Sequence, residues 1–88
     1  SILSSFQLFP NPANELVNVS ITLPRSKDLK ISILDVLGQT IYTKDKENYS
    51  EGTHTLSINT NSISAGMYFI KIEDETNGIS KPVVIITH

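Results

Sequence analysis

Short stretches in which apolar and polar residues alternate run along this 88-residue chain, separated by turn-forming residues. The clearest follows Gly66, where one face of residues 67–72 is entirely large and apolar: Tyr68, Ile70 and Ile72. Aromatic and β-branched residues at every second position are typical of a strand in a sheet. Gly66 lets the backbone turn a corner, and a Tyr just after such a corner predicts a hydroxyl bonded to upstream backbone. We therefore predict a central strand, locked by Tyr68.

The same periodicity predicts further strands before and after this one. The predicted strands are residues 6–9, 16–23, 29–37, 40–43, 53–59, 67–72 and 79–87. No segment has the period of an amphipathic helix, and turn residues recur about every 8–12 positions. The pattern predicts an all-β fold, an immunoglobulin-like antiparallel β-sandwich of about seven strands. We expect residues 1–5 to form a linker and residues 6–88 to form the domain.

Three of these strands carry an apolar face that predicts the core. The inward residues are Val17, Val19, Ile21, Leu23, Leu29, Ile31, Ile33, Leu56 and Ile58. Leu34 and Val36 break the phase of their strand, which indicates a bulge. Residues 44–52 are charged and aperiodic, so we predict the longest loop there. Asn77-Gly78 predicts a type I′ hairpin turn.

Prolines mark two places where a strand is expected at a sheet edge. In Pro10-Asn11-Pro12 each proline lacks a backbone donor, so the segment suits an edge or a crossing between sheets. Pro82 likewise favours an edge position for the last strand, which is apolar on both faces at Val83, Val84, Ile85 and Ile86. Two interpretations stay open. The edge is ready for strand addition to a partner or for swapping between copies, or the second face packs under residues 6–9.

Composition and motifs narrow the function classes. The net charge is −2 and the basic residues are scattered, so there is no basic stripe for nucleic acid. The chain has no cysteine, which excludes disulfides and thiolate metal sites. His54 and His88, the only histidines, lack metal-ligand spacing and are expected at the surface. With no G-x-S-x-G or S-x-x-K motif either, we expect no enzyme activity, no metal and no cofactor.

Two weaker signals concern ligands. Residues 73–78 echo the start of a calcium loop, but Val84 stands where that loop needs a bidentate Glu, so a solvated acidic hairpin is expected. Tyr42, Tyr49 and Tyr68 are the aromatic residues available for a carbohydrate platform. They keep open an alternative function, an adhesive or carbohydrate-binding sandwich retained in a secreted protein.

Three sequence blocks, in their order and spacing, resemble a known family. They are residues 6–13 with 16–19, residues 34–41, and residues 64–72 followed by 81–85. Together they resemble the C-terminal sorting domain of the type IX (Por) secretion system of Bacteroidetes, over about residues 6–88. Each block alone is a weak signal, whereas all three in register are specific.

The resemblance implies a small immunoglobulin-like sandwich, itself no enzyme, that follows an N-terminal cargo domain in a large exported protein. It implies transit through the periplasm to the cell surface or the medium. The partners it implies are outer-membrane shuttle or translocon proteins. In many members a sortase-like protease then removes the domain and joins the cargo to surface lipopolysaccharide. A strand-swapped dimer is a further candidate assembly.

The resemblance also assigns residues. The family signature falls on Pro10, Asn11, Pro12, Gly38, Gly66, Tyr68 and Lys71. The partner-recognition strand falls on Lys81, Pro82, Val83, Val84, Ile85 and Ile86. Thr87 and His88 stand where the family usually has a basic residue near the end. Because glycine and proline also satisfy turn geometry, a mainly structural role for the signature residues stays open.

Overall fold

The computed structural model describes residues 2–86, which form seven β-strands and no helix. The strands are β1 (Ser5–Phe9), β2 (Leu16–Leu23), β3 (Lys27–Leu34), β4 (Thr40–Tyr49), β5 (Gly52–Asn59), β6 (Gly66–Glu73) and β7 (Gly78–Ile85). The predicted all-β class and strand number are confirmed. The expected strand end at Thr87 and the surface position of His88 lie outside the described residues. Residues 2–86 contain no helix that could serve as a membrane span.

Two antiparallel sheets pack together as an immunoglobulin-like sandwich. One sheet has the order β1-β2-β5 and the other has the order β4-β3-β6-β7. β6 pairs with β3 on one side and with β7 on the other, so the predicted central strand is an inner strand. β1 and β7 are edge strands, one in each sheet, as their prolines indicated.

The core lies between the two sheets and is built by alternate residues of the strands. The apolar strand residues that are at most 1% exposed are Val17, Val19, Ile21, Leu23, Leu29, Ile31, Ile33, Ile70, Ile72, Val83 and Ile85. Ile58 is also buried, and Leu56 packs partly buried against this cluster, which confirms the predicted inward faces. Ile2 and Leu3 of the expected linker are buried as well. The boundary between linker and domain stays a prediction.

β4 is longer than predicted, because residues 44–49 continue it to Tyr49 instead of forming a loop. β4 is the second edge strand of the four-stranded sheet, opposite β7, and pairs only with β3. Most of its side chains are exposed or half-buried, so charged residues are tolerated on both faces. The loop prediction was wrong because backbone hydrogen bonds, rather than an apolar face, hold an edge strand of this kind.

β3 ends earlier than predicted, at Leu34. The next residues form a turn in which Val36 and Leu37 are 65% and 80% exposed. The pairing of β3 with β4 shifts register between Ile33 and Leu34, where the out-of-phase apolar residues predicted a bulge. Those residues therefore mark the end of the strand as well as an irregularity.

The β6–β7 hairpin forms where predicted but with a different turn. A type I′ turn needs positive φ at both central residues, and neither Asn77 nor Gly78 has one. Asp74 builds the turn instead, because its Oδ1 accepts hydrogen bonds from the backbone N–H of Thr76 (2.8 Å) and of Asn77 (2.7 Å). This side chain replaces the backbone geometry that Asn-Gly would have supplied.

Asp74 also forms the most buried ion pair among the described residues. Lys27 Nζ donates to its Oδ2 at 3.0 Å, and the Asp74 side chain is only 11% exposed. The bond from Lys27 and the two backbone donors hold the pKa of this carboxyl well below its usual range. A carboxyl with a lowered pKa stabilises the fold above its unfolded-state pKa, and this stabilisation is lost as the pH falls through the folded-state pKa.

We predict that Asp74→Asn makes the free energy of unfolding less dependent on pH in the acid range. Asn keeps an oxygen acceptor for the turn but loses the charge that pairs with Lys27. In urea unfolding at a series of pH values, the free energy of unfolding of the unmodified domain should fall between about pH 5 and pH 2. The variant should be less stable at pH 7 and show a shallower decline. Glu75→Gln is the control, since Glu75 is 82% exposed. Parallel curves for Asp74→Asn and the unmodified domain would contradict the assignment.

Candidate partner-recognition strand

β7 divides its side chains between the core and the solvent. Val83 and Ile85 are at most 1% exposed and contribute to the core. Val84 and, just after the strand, Ile86 alternate with them and are 37% and 43% exposed. Pro82 is exposed on the same outer face. Four of the six predicted recognition residues are therefore accessible to a partner as side chains, and Val83 and Ile85 are not.

The backbone edge of β7 is covered by residues 11–13, which we call the strap. Ala13 N donates to Val84 O at 2.7 Å, and Ile86 N donates to Ala13 O at 2.8 Å. Between these bonds, Val84 N donates to the side-chain oxygen of Asn11 at 3.0 Å. Asn11 Nδ2 donates to Pro82 O at 3.4 Å. The strap thus joins the edge of β7 as a short parallel extension, with Ala13 opposite Ile85.

The strap is also the place where the chain crosses to the four-stranded sheet before β2 returns to the three-stranded one. β1 ends at Phe9 in the three-stranded sheet, and Ala13 already pairs with the four-stranded one. Both peptide bonds that precede Pro10 and Pro12 are cis. The predicted crossing between sheets at Pro10-Asn11-Pro12 is confirmed.

Both earlier interpretations of the apolar last strand need correction. The edge is not open over its second half, because Asn11 and Ala13 pair with the backbone donors and acceptors of Val84 and Ile86 and with the Pro82 oxygen. The outer face does not pack under residues 6–9 either, because Val84 and Ile86 stay exposed while Phe6 is buried in the core. The structure therefore presents an accessible apolar face beside a covered backbone edge.

Tyr68 forms the predicted corner lock at the start of β6. Its hydroxyl donates to the backbone oxygen of Ser64 at 2.7 Å. Gly66, between them, has a φ of +158°, and the Tyr68 ring lies 3.6 Å from the position that a Cβ would take there. The ring therefore packs back over the corner that leads into the inner strand.

A family model described as "Secretion system C-terminal sorting domain" matches residues 7–86. The match covers nearly the whole chain and the three blocks that carry the resemblance. The chain belongs to the type IX secretion sorting domain family. No curated protein matches the chain at a significant level.

Family membership gives the sorting domain its general function. It is a C-terminal signal for type IX secretion, which implies interaction with the secretion machinery and an N-terminal cargo. It implies export to the cell surface or secretion. The family is not known as enzymatic.

The remaining signature residues of the sorting domain lie in turns or beside β7. Gly38 has a φ of +83°, which favours glycine, and Asp35 Oδ1 closes the same turn by accepting from the Gln39 N–H at 2.9 Å. Lys71 lies on the outer face of β6, with its Cε 3.1 Å from the position of a Cβ at Gly78. These positions have local packing and turn roles, and no described contact joins Gly38 to β7.

Lys81 lies on the core side of β7 at the rim of the sandwich. Its Nζ is 5.5 Å from the centre of the Phe6 ring, a cation–π contact between the two edge strands. Lys81 therefore connects β7 to β1 on the same side of the molecule as the strap. Its ammonium group thus helps to hold the edge strand β7 against β1 and also places a positive charge at the surface.

The structure does not assemble the other ligand sites that were considered. Residues 2–86 contain no group of three side chains arranged for a metal ion. His54 Nε2 donates to the Ser50 oxygen at 2.8 Å, and its ring packs edge-on against Tyr49. Tyr49 and Tyr68 are buried, so Tyr42 is the only exposed tyrosine of the proposed platform in this range. Within residues 2–86 these three tyrosines do not share one exposed surface.

Two contributions to the site were not assigned from the sequence. Ala13 is fully buried and pairs with β7. Met67 of β6 is the cross-strand neighbour of Val84 on β7. The apolar character of Met67 was visible in the sequence, but its neighbour depends on the hairpin register. Nothing in the sequence indicated that Ala13 pairs with β7, since a small residue after two prolines is typical of a turn.

We predict that Tyr68→Phe destabilises the domain by about 1 kcal/mol, because a buried hydrogen bond is lost without a change in shape. Chemical denaturation measures the change. Tyr42→Phe is the matched control, as the Tyr42 hydroxyl has no described hydrogen bond and Tyr42 is 37% exposed. Equal stability of the two variants would contradict the corner lock.

We predict that Asn11→Ala weakens the strap specifically. Loss of the side-chain acceptor should cost about 0.5–1.5 kcal/mol and therefore speed hydrogen exchange at the Val84 amide about twofold to tenfold relative to amides in β2. Exchange followed by NMR measures both effects. Asn61→Ala, at an exposed asparagine in a turn, should leave the Val84 amide unchanged. An unchanged Val84 rate in Asn11→Ala is the result that would reject this contact.

Proposed function

We propose that the sorting domain is recognised by an outer-membrane shuttle or translocon protein through β7. The residues assigned to this contact are Lys81, Pro82, Val83, Val84, Ile85 and Ile86. The observation that carries the proposal is the division of this strand into a core face and a presented face. Val83 and Ile85 anchor the strand, and this holds Val84 and Ile86 in a fixed outward position.

A rigid apolar strand suits a recognition signal. Val84 and Ile86 are already exposed, so a partner that covers them gains about 25 cal/mol for each Å² of apolar area removed from water. The strap and β6 pair with β7 from both sides, so little conformational entropy is lost when the strand is bound. A flexible tail of the same composition would bind more weakly.

We further propose a sorting route, which family membership and the proposed contact support. The domain travels with its N-terminal cargo through the periplasm and engages the outer-membrane partner there. A sortase-like protease then removes it from those cargoes that become attached to the cell surface. A strand-swapped dimer would break and then re-form the bonds that β6 and the strap make to β7, so it gains no hydrogen bonds over the closed monomer.

The export of a reporter tests the function without unfolding the domain. A periplasmic reporter is fused in front of residues 1–88 in a bacterium with this secretion system, and the reporter is measured outside the cell. We predict that the double variant Val84→Ser and Ile86→Ser lowers export at least tenfold while the urea midpoint of the purified domain stays close to that of the unmodified one. Both side chains are exposed, so the substitutions leave the core intact.

Leu16→Ser is the matched control. Leu16 is 40% exposed, like Val84 and Ile86, but lies in β2 of the opposite sheet. Export with this variant should equal that of the unmodified fusion. Unimpaired export of a correctly folded Val84→Ser and Ile86→Ser fusion would overturn the proposed function of β7.

A further inference from the structure

The exposed side chains of β7 belong to a larger apolar surface that spans three strands. On the outer face of the four-stranded sheet, Phe69 lies opposite Leu34 on one side and opposite Pro82 on the other. One step toward the start of β6, Met67 lies opposite Val84, and Ile86 follows on the same face. We call this surface the outer apolar patch; its members are Leu34, Met67, Phe69, Pro82, Val84 and Ile86.

The outer apolar patch occupies one end of the sheet only. The next row of paired residues across the same face is polar, with Lys71 between Ser32 and Ser80. The row beyond it places Glu73 opposite Lys30. Outward faces of antiparallel sheets are usually polar throughout. Here half of the face follows that rule, and the other half holds Met67 at 49% exposure together with Val84 and Ile86.

The backbone edge beside this patch is already paired. A partner strand that added to β7 at Pro82, Val84 and Ile86 would first have to remove the strap. That exchange breaks the bonds of Ala13 with Val84 and Ile86 and those made by the Asn11 side chain. The new strand would make bonds of the same kind, so the exchange gains little. Contact with the outer face requires no such exchange.

We propose that the secretion-machinery protein docks an apolar surface face-on against the outer apolar patch, with the strap left in place. This inference rests on the proposed function and deepens it. Met67 and Phe69 of β6 then contribute to recognition together with the residues of β7. The surface that the partner contacts is therefore formed by side chains of β6 and β7 together.

A protein partner is the occupant that the surroundings favour. Sorting requires contact with the secretion machinery, and the patch itself carries no charged side chain. An anionic membrane surface would favour a basic rim, whereas the charged rows beside the patch contain Lys71 and Glu73 together and the chain carries a net charge of −2. A second copy of the domain is the remaining alternative and is resolved by the test.

Met67 provides the sharpest test, because it lies outside the recognition strand. With the reporter fusion described above, Met67→Ser should lower export about fivefold to tenfold, and Met67→Leu should retain most of it. Leu16→Ser again serves as the control for loss of an exposed apolar side chain. Thermal unfolding of the purified variants shows that each is folded. Full export with Met67→Ser, while Val84→Ser and Ile86→Ser lower it, would overturn face-on docking but leave the proposed function of β7 standing.

Two further outcomes separate the alternatives. Strand addition at the edge predicts that Asn11→Ala, which loosens the strap, increases export, whereas face-on docking predicts no increase. Analytical ultracentrifugation of the purified domain tests whether a second copy of the domain occupies the patch. A dimer that Met67→Ser dissociates, with export unaffected, would assign the patch to self-association and overturn the inference. A monomer across the concentration range supports a different protein as the occupant.

Discussion

The hydrogen bonds between the strap and β7 are the constraint on which the recognition surface depends. An edge strand with apolar residues on both faces is open to pairing with other chains. In this domain Asn11 and Ala13 cover the outer backbone of Val84 and Ile86, and the same segment links the two sheets between β1 and β2. The strap therefore closes one side of the sandwich and holds β7, the proposed recognition strand, in place.

The inner strand β6 supplies the second support. Tyr68 locks the corner at its start through the Ser64 backbone, and Ile70 and Ile72 anchor it in the core. Its opposite face carries Met67 next to Val84. The strand that builds the core thus also shapes the surface beside β7. In this arrangement a substitution on the core side of β6 is expected to affect folding, and one on its outer side is expected to affect recognition.

Alternation of apolar residues was enough to predict most strands and their inward faces, because burial on one face leaves a local signal at period two, whereas the family came from the resemblance of three sequence blocks. It failed for β4, whose edge position removes the need for an apolar face, and for the turn at Asp74, where a side chain replaces the expected backbone geometry. The strap could not be predicted for a different reason. Asn11 and Val84 are 73 residues apart, and neither carries a local sign of the other.

In the proposed complex, a protein of the secretion machinery contacts the outer face of β7 and β6 while the strap stays hydrogen-bonded to β7. Methyl and amide NMR of the labelled domain, titrated with the purified outer-membrane partner in detergent, tests it most directly. We expect the largest chemical-shift changes at the methyl groups of Met67, Val84 and Ile86, none at Leu16, and continued protection of the Val84 amide from hydrogen exchange. Loss of protection at Val84, with the Met67 methyl unchanged, would contradict it.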